Sequence, residues 1–361
     1  MRVALIVIAV LALIGVGVVF VGGASPAIVV APETVFHWGS LGVTNTMFTS
    51  WIVVGLLILL AVMVGPRVSV VPSGFSGAIE AAVEAFYNIV VQVAGEENGR
   101  RFFPLAATIF LFVLTSNYFG LLPFNNVIGL PEPNFGDKQA AMGQTTVGGI
   151  ELAYIPFKPG SVDTGGGELA YIERDGHREF IDPAAHGEAS SSSSSSTSSD
   201  SHGVDGTVTG FSGLIAPYFR SVMTDVNAPL AIAIFSFLFV EFWGLQTLGV
   251  SYLTKFFSFG KLLKGDILGG LIDVFVGLLE FVSELSRMVS FTFRLFGNVF
   301  AGEVLLLMMM FLVPFVLVDV FYALELFVGL IQAFVFAMLT LVFAVTAVSH
   351  HGDDHANEGA H

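Results

Sequence analysis

The sequence predicts an all-α polytopic membrane protein with a long tilted helical hairpin. It has about five core helices plus a surface amphipathic helix, and an extramembrane loop insert. The chain is 54% hydrophobic and only 12% charged, whereas soluble domains are about a quarter charged. Most of the apolar runs match the length needed to cross a hydrocarbon core about 30 Å thick, and two are much longer. The runs are Val3–Val21, Met47–Val64, Phe102–Leu122, Ala228–Val250, Ile267–Val313 and Phe315–Val348.

The overall charge excludes one class of partner. A net charge of -15 opposes binding to the phosphates of nucleic acid, so no nucleic-acid partner is expected. The chain has no cysteine, which rules out disulfides and thiolate metal sites. The histidines of the insert show no metal-ligand spacing, and His351 and His355 in the tail have a compatible i, i+4 spacing but no third fixed ligand, which favours a solvated tail. We therefore expect no metal and no cofactor.

Five segments follow from these patterns. The first apolar run comes directly after Met1 and Arg2 and ends in small residues, which fits a signal peptide or a signal anchor. The segments are 1–27, signal peptide or signal anchor; 28–125, first membrane span, surface helix and next span; 126–217, flexible extracytoplasmic insert with a Ser-rich linker; 218–349, channel-forming helices including the tilted hairpin; and 350–361, polar tail.

Lysines and arginines predict the orientation of the chain. The short basic loops belong on the cytoplasmic side by the positive-inside rule. They carry Arg67, Arg100, Arg101, Lys255, Lys261 and Lys264. The insert is then outside and the C-terminus is cytoplasmic. Without a basic, transit-like leader, a bacterial inner membrane is favoured over an organelle.

Two parts of the chain differ from simple membrane spans. The insert carries a serine run at 189–201, typical of a flexible linker, and strand-like pieces such as "TTVGGIELAYIPF" that indicate a small hairpin module. Before the Phe102–Leu122 run, Glu80, Glu84, Asn88 and Gln92 recur every four residues. One polar stripe on an otherwise apolar helix indicates a helix lying in the membrane surface.

The last two runs predict a long, tilted hairpin. They meet near Pro314, and at 1.5 Å per residue they would be about 70 Å and about 50 Å long if fully helical. Neither can stand upright in a core about 30 Å thick, so strong tilt or a bend is required. If the arms are antiparallel about Pro314, opposed residue numbers sum to about 628. Glu303 then faces Glu325, and Arg294 lies within one turn of Gln332.

Charged residues recur on the first arm at nearly two-turn spacing. One drifting face carries Asp273, Glu280, Glu284, Arg287, Arg294 and Asn298. Glu303 lies on about the opposite side of the helix from Arg294. Charges at membrane depth are costly and mark ion paths, which favours a functional role over interhelical polar contacts alone. Glu284, three residues before Arg287, is placed to neutralise it locally.

Four motifs resemble one known family, subunit a of the rotary F-type ATP synthase membrane sector. "SFTFRLFGNVFAGE" at Ser290–Glu303 is similar to the signature around that family's essential arginine, and "LIQAFVFAMLT" at Leu330–Thr340 to its last-helix motif. "TSNYFGLLP" at Thr115–Pro123 and "TDVNAPLAIA" at Thr224–Ala233 resemble two further blocks. The resemblance covers roughly 45–125 and 218–349, and not the insert.

The resemblance implies a non-catalytic, proton-translocating subunit. Its partners would be a rotating ring of small c subunits, b-type peripheral stalk subunits and membrane lipid. Arg294 would be the essential arginine between two half-channels. The residues implied to line or orient the path are Asn298, Glu303, Glu325, Gln332, Asp225 and Asn227, and Glu241 in the Ala228–Val250 run is a further candidate. Several branches of the family carry histidine at one of the positions matching Glu303 and Glu325, whereas both are glutamate here.

Two other readings of the intramembrane charges remain open at this point. A secondary cation/proton antiporter would also use intramembrane acids, although the inverted repeats with broken helices that mark many such transporters are missing. A purely structural anchor would leave the charges without a role. Co-purification with a ring of small hydrophobic subunits would separate these readings from a synthase subunit.

Overall fold

The computed structural model describes the chain in segments. The described residues are 12–13, 15, 31–39, 41–67, 74–132, 138–147, 150–154, 160–163, 171–174, 177–180, 210–212, 214–249, 252, 267–312 and 316–349. Almost all of the predicted leader at 1–27 lies outside these residues. The serine run at 189–201, the loop with Lys255, Lys261 and Lys264, and the polar tail at 350–361 also lie outside them.

Six helices of the described chain are long and apolar enough to cross a membrane. They are α1 Asn45–Val64, α2 Gly74–Ala94, α3 Glu96–Gly120, α4 Asn227–Leu248, α5 Ile267–Leu312 and α6 Val316–Ser349. The all-α polytopic prediction is confirmed. Local chemistry fixes some of the ends: the Thr44 hydroxyl accepts a hydrogen bond from the amide of Met47 and caps α1.

Helix α6 is the centre of the bundle. It packs against α3, α4 and α5, and its buried face includes Ala333, Phe336, Ala337, Leu341 and Ala344. In the most apolar stretch of α6, 39% of the residues are buried, against 11% in α5. Helix α5 therefore runs along the edge of the bundle with most of its apolar surface uncovered by this chain.

Helices α5 and α6 form the predicted antiparallel hairpin. The rings of Phe291 and Phe336 are 5.0 Å apart, and Asn298 hydrogen-bonds Gln332. Both pairs have numbers summing to within two of the predicted 628. The prediction succeeded because Pro314 marks the only proline between two long apolar runs, so the turn could be placed from the sequence.

Helices α2 and α3 form a second, tighter hairpin. Gly95 joins them with a φ of 77°, a left-handed conformation that glycine adopts without a steric penalty. The ring of Phe86 on α2 stacks on Phe110 of α3, with centroids 4.6 Å apart, and its side chain is buried. The placement of α2 in the membrane surface stays a prediction, and α2 also meets the length and hydropathy of a span.

The segment between α3 and α4 carries strands, as the sequence indicated. They are β3 Ile128–Glu132, β4 Lys138–Val147, β5 Ile150–Tyr154, β6 Gly160–Asp163, β7 Tyr171–Arg174, β8 His177–Phe180, β9 Gly210–Ser212 and β10 Leu214–Pro217. Antiparallel pairing joins β10, β3, β5, β4 and β6 in that order, with β9 also on β4, and β7 pairs with β8. A separate hairpin, β1 Thr34–Trp38 and β2 Leu41–Thr44, precedes α1.

Candidate functional site

Arg294 lies in the second half of α5 and is half-buried. Its guanidinium carbon is 5.8 Å from the centroid of the Phe291 ring one turn earlier. Within the described part of the chain, the guanidinium has no hydrogen bond or ion pair. A charge that approaches an aromatic face but meets no carboxylate keeps its capacity for a partner from outside the chain.

The amide of Gln332 lies where the sequence placed it, but its partner is different. Asn298, one turn after Arg294, donates from Nδ2 to Oε1 of Gln332 at 2.7 Å. Gln332 is 5% exposed, so this contact lies inside the hairpin. The two amides tie α5 to α6 next to Arg294, and the arginine itself is left out of that contact.

Glu303 is held from outside the hairpin. Asn126, in the segment after α3, donates from Nδ2 to Oε1 of Glu303 at 2.6 Å. Arg220, shortly before α4, places its Nε 3.8 Å from the same oxygen. The sequence paired Glu303 with Glu325, whereas these contacts join it to two residues that sequence analysis did not select.

Glu325 approaches α5 one residue earlier than predicted. A Cβ atom on Gly302 would collide with the carboxylate of Glu325, so the absence of a side chain at Gly302 makes room for that acid. Glu325 therefore lies against the backbone beside Glu303. Both carboxylates reach the same cavity even though their contacts are different.

This cavity has a volume of about 190 Å³ and lies where α3, α5 and α6 meet the strand-bearing segment. Tyr322 lines it and donates its hydroxyl to the carbonyl of Leu121, and Asn117 donates from Nδ2 to the carbonyl of Gly329 at 3.1 Å. Its polar lining consists of Asn117, Asn125, Asn126, Ser221, Asn298, Glu303, Tyr322, Glu325 and Gln332. The two carboxylates of this lining are groups that can take up and release a proton, and the amides can orient them through hydrogen bonds.

Asp225 and Asn227 lie at the start of α4 and are not among the residues lining the cavity. Asp225 accepts at Oδ2 from the Thr46 hydroxyl at 2.9 Å, and at Oδ1 from the backbone and side-chain nitrogens of Asn227, each at 3.0 Å. Asp225 precedes the N-cap residue Val226, and its carboxylate accepts from the first backbone amide of the helix. Here it also fastens α4 to α1.

Glu241 belongs to a second polar cluster, toward the other end of the bundle. Its carboxylate is hydrogen-bonded to the buried Tyr252. Glu284 is 5% exposed and receives both of its short contacts, at 2.8 and 2.9 Å, from Arg287. The predicted local neutralisation of Arg287 by Glu284 is confirmed.

Sequence reasoning missed Asn126 and Arg220. Asn126 comes three residues after the "TSNYFGLLP" block, and Arg220 comes four residues before the "TDVNAPLAIA" block. A cation beside a membrane block was the available signal. Arg220 precedes α4 and lies outside any helical spacing pattern, so no periodicity predicts its contact with Glu303.

Comparison with known proteins identifies the family. The sequence profile of the ATP synthase A chain family matches residues 47–155 and 204–344. A protein of Moorella thermoacetica named ATP synthase subunit a is 22% identical over 89% of this chain and 99% of its own length. One of the same name from Gloeobacter violaceus is 26% identical over 91% of this chain and 94% of its own.

A third relative matches part of the chain more closely. ATP synthase subunit a of Campylobacter jejuni is 34% identical over 39% of this chain and 60% of its own length. The family profile covers well over half of the sequence, including the helices that line the cavity and carry Arg294. The chain therefore belongs to the ATP synthase A chain family, and is a proton-translocating, multi-pass membrane subunit of the ATP synthase.

Proposed function

We propose that this chain is the stator half of the proton channel, with two aqueous half-channels separated by Arg294. Proton flow through them turns a rotating c-ring and so drives ATP synthesis. The observation that carries the proposal is the half-buried guanidinium of Arg294, which has no ionic partner in the described chain. On α5 it falls between the cavity around Glu303 and the polar cluster around Glu284.

A permanent cation is suited to keep the two half-channels apart. Arginine is not deprotonated in proteins, so a proton that reaches Arg294 meets positive charge rather than a base. A carboxylate of the c-ring can approach the guanidinium only after it has released its proton. Each charge that moves down 100 mV yields about 2.3 kcal/mol, so several protons are needed for each ATP.

The outer half-channel is assigned to the cavity beside the strand-bearing segment. Glu303 and Glu325 relay the proton, and the Asn298–Gln332 amide pair orients the path where it approaches Arg294. Asp225 and Asn227 shape the outer entry through the hydrogen bonds of Asp225, which hold the start of α4 against α1. These two residues therefore position the wall of the half-channel and do not carry the proton.

The inner half-channel is assigned to the opposite end of the bundle. Glu241 there is the acid on α4 and is hydrogen-bonded to Tyr252. The neighbouring Glu284, paired with Arg287 on α5, belongs to the wall and not to the proton relay. Arg101 at this end donates to Gln246 at 2.7 Å. An arginine here agrees with the cytoplasmic side in the positive-inside assignment.

The same assignment gives the location and partners. The C-terminus is cytoplasmic in a bacterial inner membrane, with α5 against the c-ring and b-type peripheral stalk subunits and lipid around the remaining surface. The subunit itself carries out no catalysis. Leu271, Phe275, Leu278, Val282 and Phe293 are exposed on α5, which suits a helix covered by a ring and by lipid.

The decisive test replaces Arg294 by alanine in the whole synthase and measures ATP synthesis driven by a proton gradient in membrane vesicles. We expect coupled synthesis to be abolished while the subunit still assembles. The matched control is Glu284→Gln with Arg287→Gln, which removes a nearby neutral ion pair from the same helix. That double variant should keep coupled synthesis.

Normal proton-driven synthesis in Arg294→Ala would overturn the proposal. Purification from mild detergent gives a second, independent outcome. We expect a ring of small hydrophobic subunits to accompany the chain, whereas an antiporter would purify without one. The family match favours the synthase over the antiporter, because the profile covers both the arginine motif and the last helix.

A further inference from the structure

The strand-bearing segment continues into the site. Strands β3 and β10 pair antiparallel, with Pro217 opposite Gly129. Two more backbone hydrogen bonds extend this pairing toward the membrane. The amide of Tyr218 donates to the carbonyl of Ile128 at 3.0 Å, and the amide of Asn126 donates to the carbonyl of Phe219 at 3.1 Å. The first and last strands of the segment are therefore tied together up to the residues that flank Glu303.

Asn126 and Arg220 stand at the end of this extended pairing, and both reach the same oxygen of Glu303. The side chain of Arg220 is 5% exposed and that of Glu303 is 16% exposed, so the contact is largely withdrawn from solvent. Arg220 is anchored as well: its amide donates to the Thr49 hydroxyl at 3.3 Å, and its Nη1 to the carbonyl of Ala31 at 3.0 Å. Its position does not depend on Glu303 alone.

The backbone at Asn126 is specialised. Its φ of 59° lies in the left-handed region, where asparagine is far better tolerated than most other side chains. This conformation accompanies the 2.6 Å hydrogen bond from its amide to Glu303. The strand pairing and the left-handed residue thus both position groups that contact the carboxylate of Glu303.

The other groups around Glu303 carry little positive charge. Glu325 and Tyr322 of α6 line the same cavity, and α3 with its exit loop contributes the amides of Asn117 and Asn125. The hydroxyl of Thr224 comes from the turn before α4. Arg220 is the cation that this part of the described chain places beside Glu303.

We propose that Arg220 and Asn126 are positioning residues of the outer half-channel. Together they favour the anionic form of Glu303 and so set the range of outer-side pH over which it takes up a proton. This inference rests on the proposed function. It also gives the pairing of β3 with β10 a role, because that pairing brings the two residues to the carboxylate.

The test uses the whole synthase in inverted membrane vesicles, whose lumen corresponds to the outer side. ATP synthesis is measured against lumenal pH at a fixed external pH and a fixed potassium diffusion potential. In Arg220→Gln, the half-maximal lumenal pH should rise by at least ~1 pH unit, because an adjacent arginine weakens proton binding by a carboxylate by about one to three units. Arg220→Lys keeps the positive charge, so its midpoint should lie close to the wild-type value.

Asn126→Gly provides the second arm, since glycine keeps the left-handed backbone and removes only the side-chain donor. It should shift the midpoint in the same direction by a smaller amount. Arg101→Gln, which removes an exposed arginine at the other end, should leave the midpoint unchanged. If Arg220→Gln does not assemble, Asn126→Gly and Arg220→Lys decide the question.

An unchanged midpoint in assembled Arg220→Gln or in Asn126→Gly, with only the maximal rate reduced, would overturn this inference and leave a structural role. Failure of the proposed function has a different signature. It would appear as coupled synthesis that survives Arg294→Ala.

Discussion

Two acidic residues on the same helix, Glu303 and Glu284, are treated in opposite ways. Glu284 is neutralised by its own helix, through two contacts of 2.8 and 2.9 Å from Arg287. Glu303 is held by residues from outside the hairpin, with its cation 3.8 Å away and a cavity beside it. A local, close pair fixes a charge in place, whereas a looser, distant pair leaves the carboxylate able to exchange a proton.

The surroundings strengthen this difference. The guanidinium of Arg287 also lies over the ring of Phe343, 4.6 Å from its centroid, which adds a packing contact to the pair. Glu303 is instead surrounded by amides and hydroxyl groups along the cavity. Charged residues at membrane depth on one helix can therefore have different roles, and the origin of the partner separates them.

The largest expected effect comes from removing the exchangeable carboxylate. Glu303→Gln keeps the shape and a hydrogen-bonding group but cannot carry a proton. ATP-driven proton pumping in inverted vesicles should fall by at least about tenfold, in line with the loss of a positioned acid–base group. Glu284→Gln is the matched change on the same helix and should retain most of the pumping in assembled complexes. Equal losses in the two variants would remove the distinction between the clusters.

The contribution of the Arg287–Glu284 ion pair can be measured from the stability of the subunit. Arg287→Gln removes the cation that bonds the buried Glu284 and should destabilise the subunit by about 2 kcal/mol, less than for a fully buried pair because Arg287 is partly exposed. Adding Glu284→Gln should recover part of this loss, because no uncompensated charge then remains. Thermal unfolding of the purified complex measures both. A double variant less stable than Arg287→Gln alone would show that the two residues do not act as a pair.

The close approach of α5 and α6 can be tested at one atom. In Gly302→Ala the new methyl group would meet the carboxylate of Glu325, and overpacking of this kind costs about 2 kcal/mol. Gly297→Ala on the same helix has open space around the added carbon and should be neutral or stabilising by up to about 1 kcal/mol. Melting temperatures that change alike in both variants would contradict the proposed contact.

The smallest effect is expected at Tyr252. Burial, and then the nearby carboxylate of Glu241, raise the pKa of Tyr252 well above its usual 10.0. Its stabilising contribution should therefore be constant below about pH 10 and decline as the pH rises further. Tyr252→Phe should cost about 1 kcal/mol at neutral pH and lose that alkaline decline. Unfolding measured from pH 7 to 11 tests both; an unchanged alkaline profile would count against the assignment.

The sequence predicted those parts of the site that depend on helical geometry. Pro314 and the spacing of charges placed Asn298 near Gln332 and Glu284 beside Arg287, because a helix fixes which residues share a face. It did not predict the contacts of Glu303. They depend on β3 pairing with β10 across a long intervening segment, and strand register over such a distance is not encoded in any local pattern.

The sparse burial of α5 bears on how the subunit is made. Only a small part of this helix is covered by its own chain, so much of its native environment has to come from lipid and from other synthase subunits. The order of biogenesis then matters. A newly inserted chain exposes a broad apolar surface until the other subunits bind. We therefore expect subunits in excess over their partners to be degraded by membrane quality control rather than to accumulate.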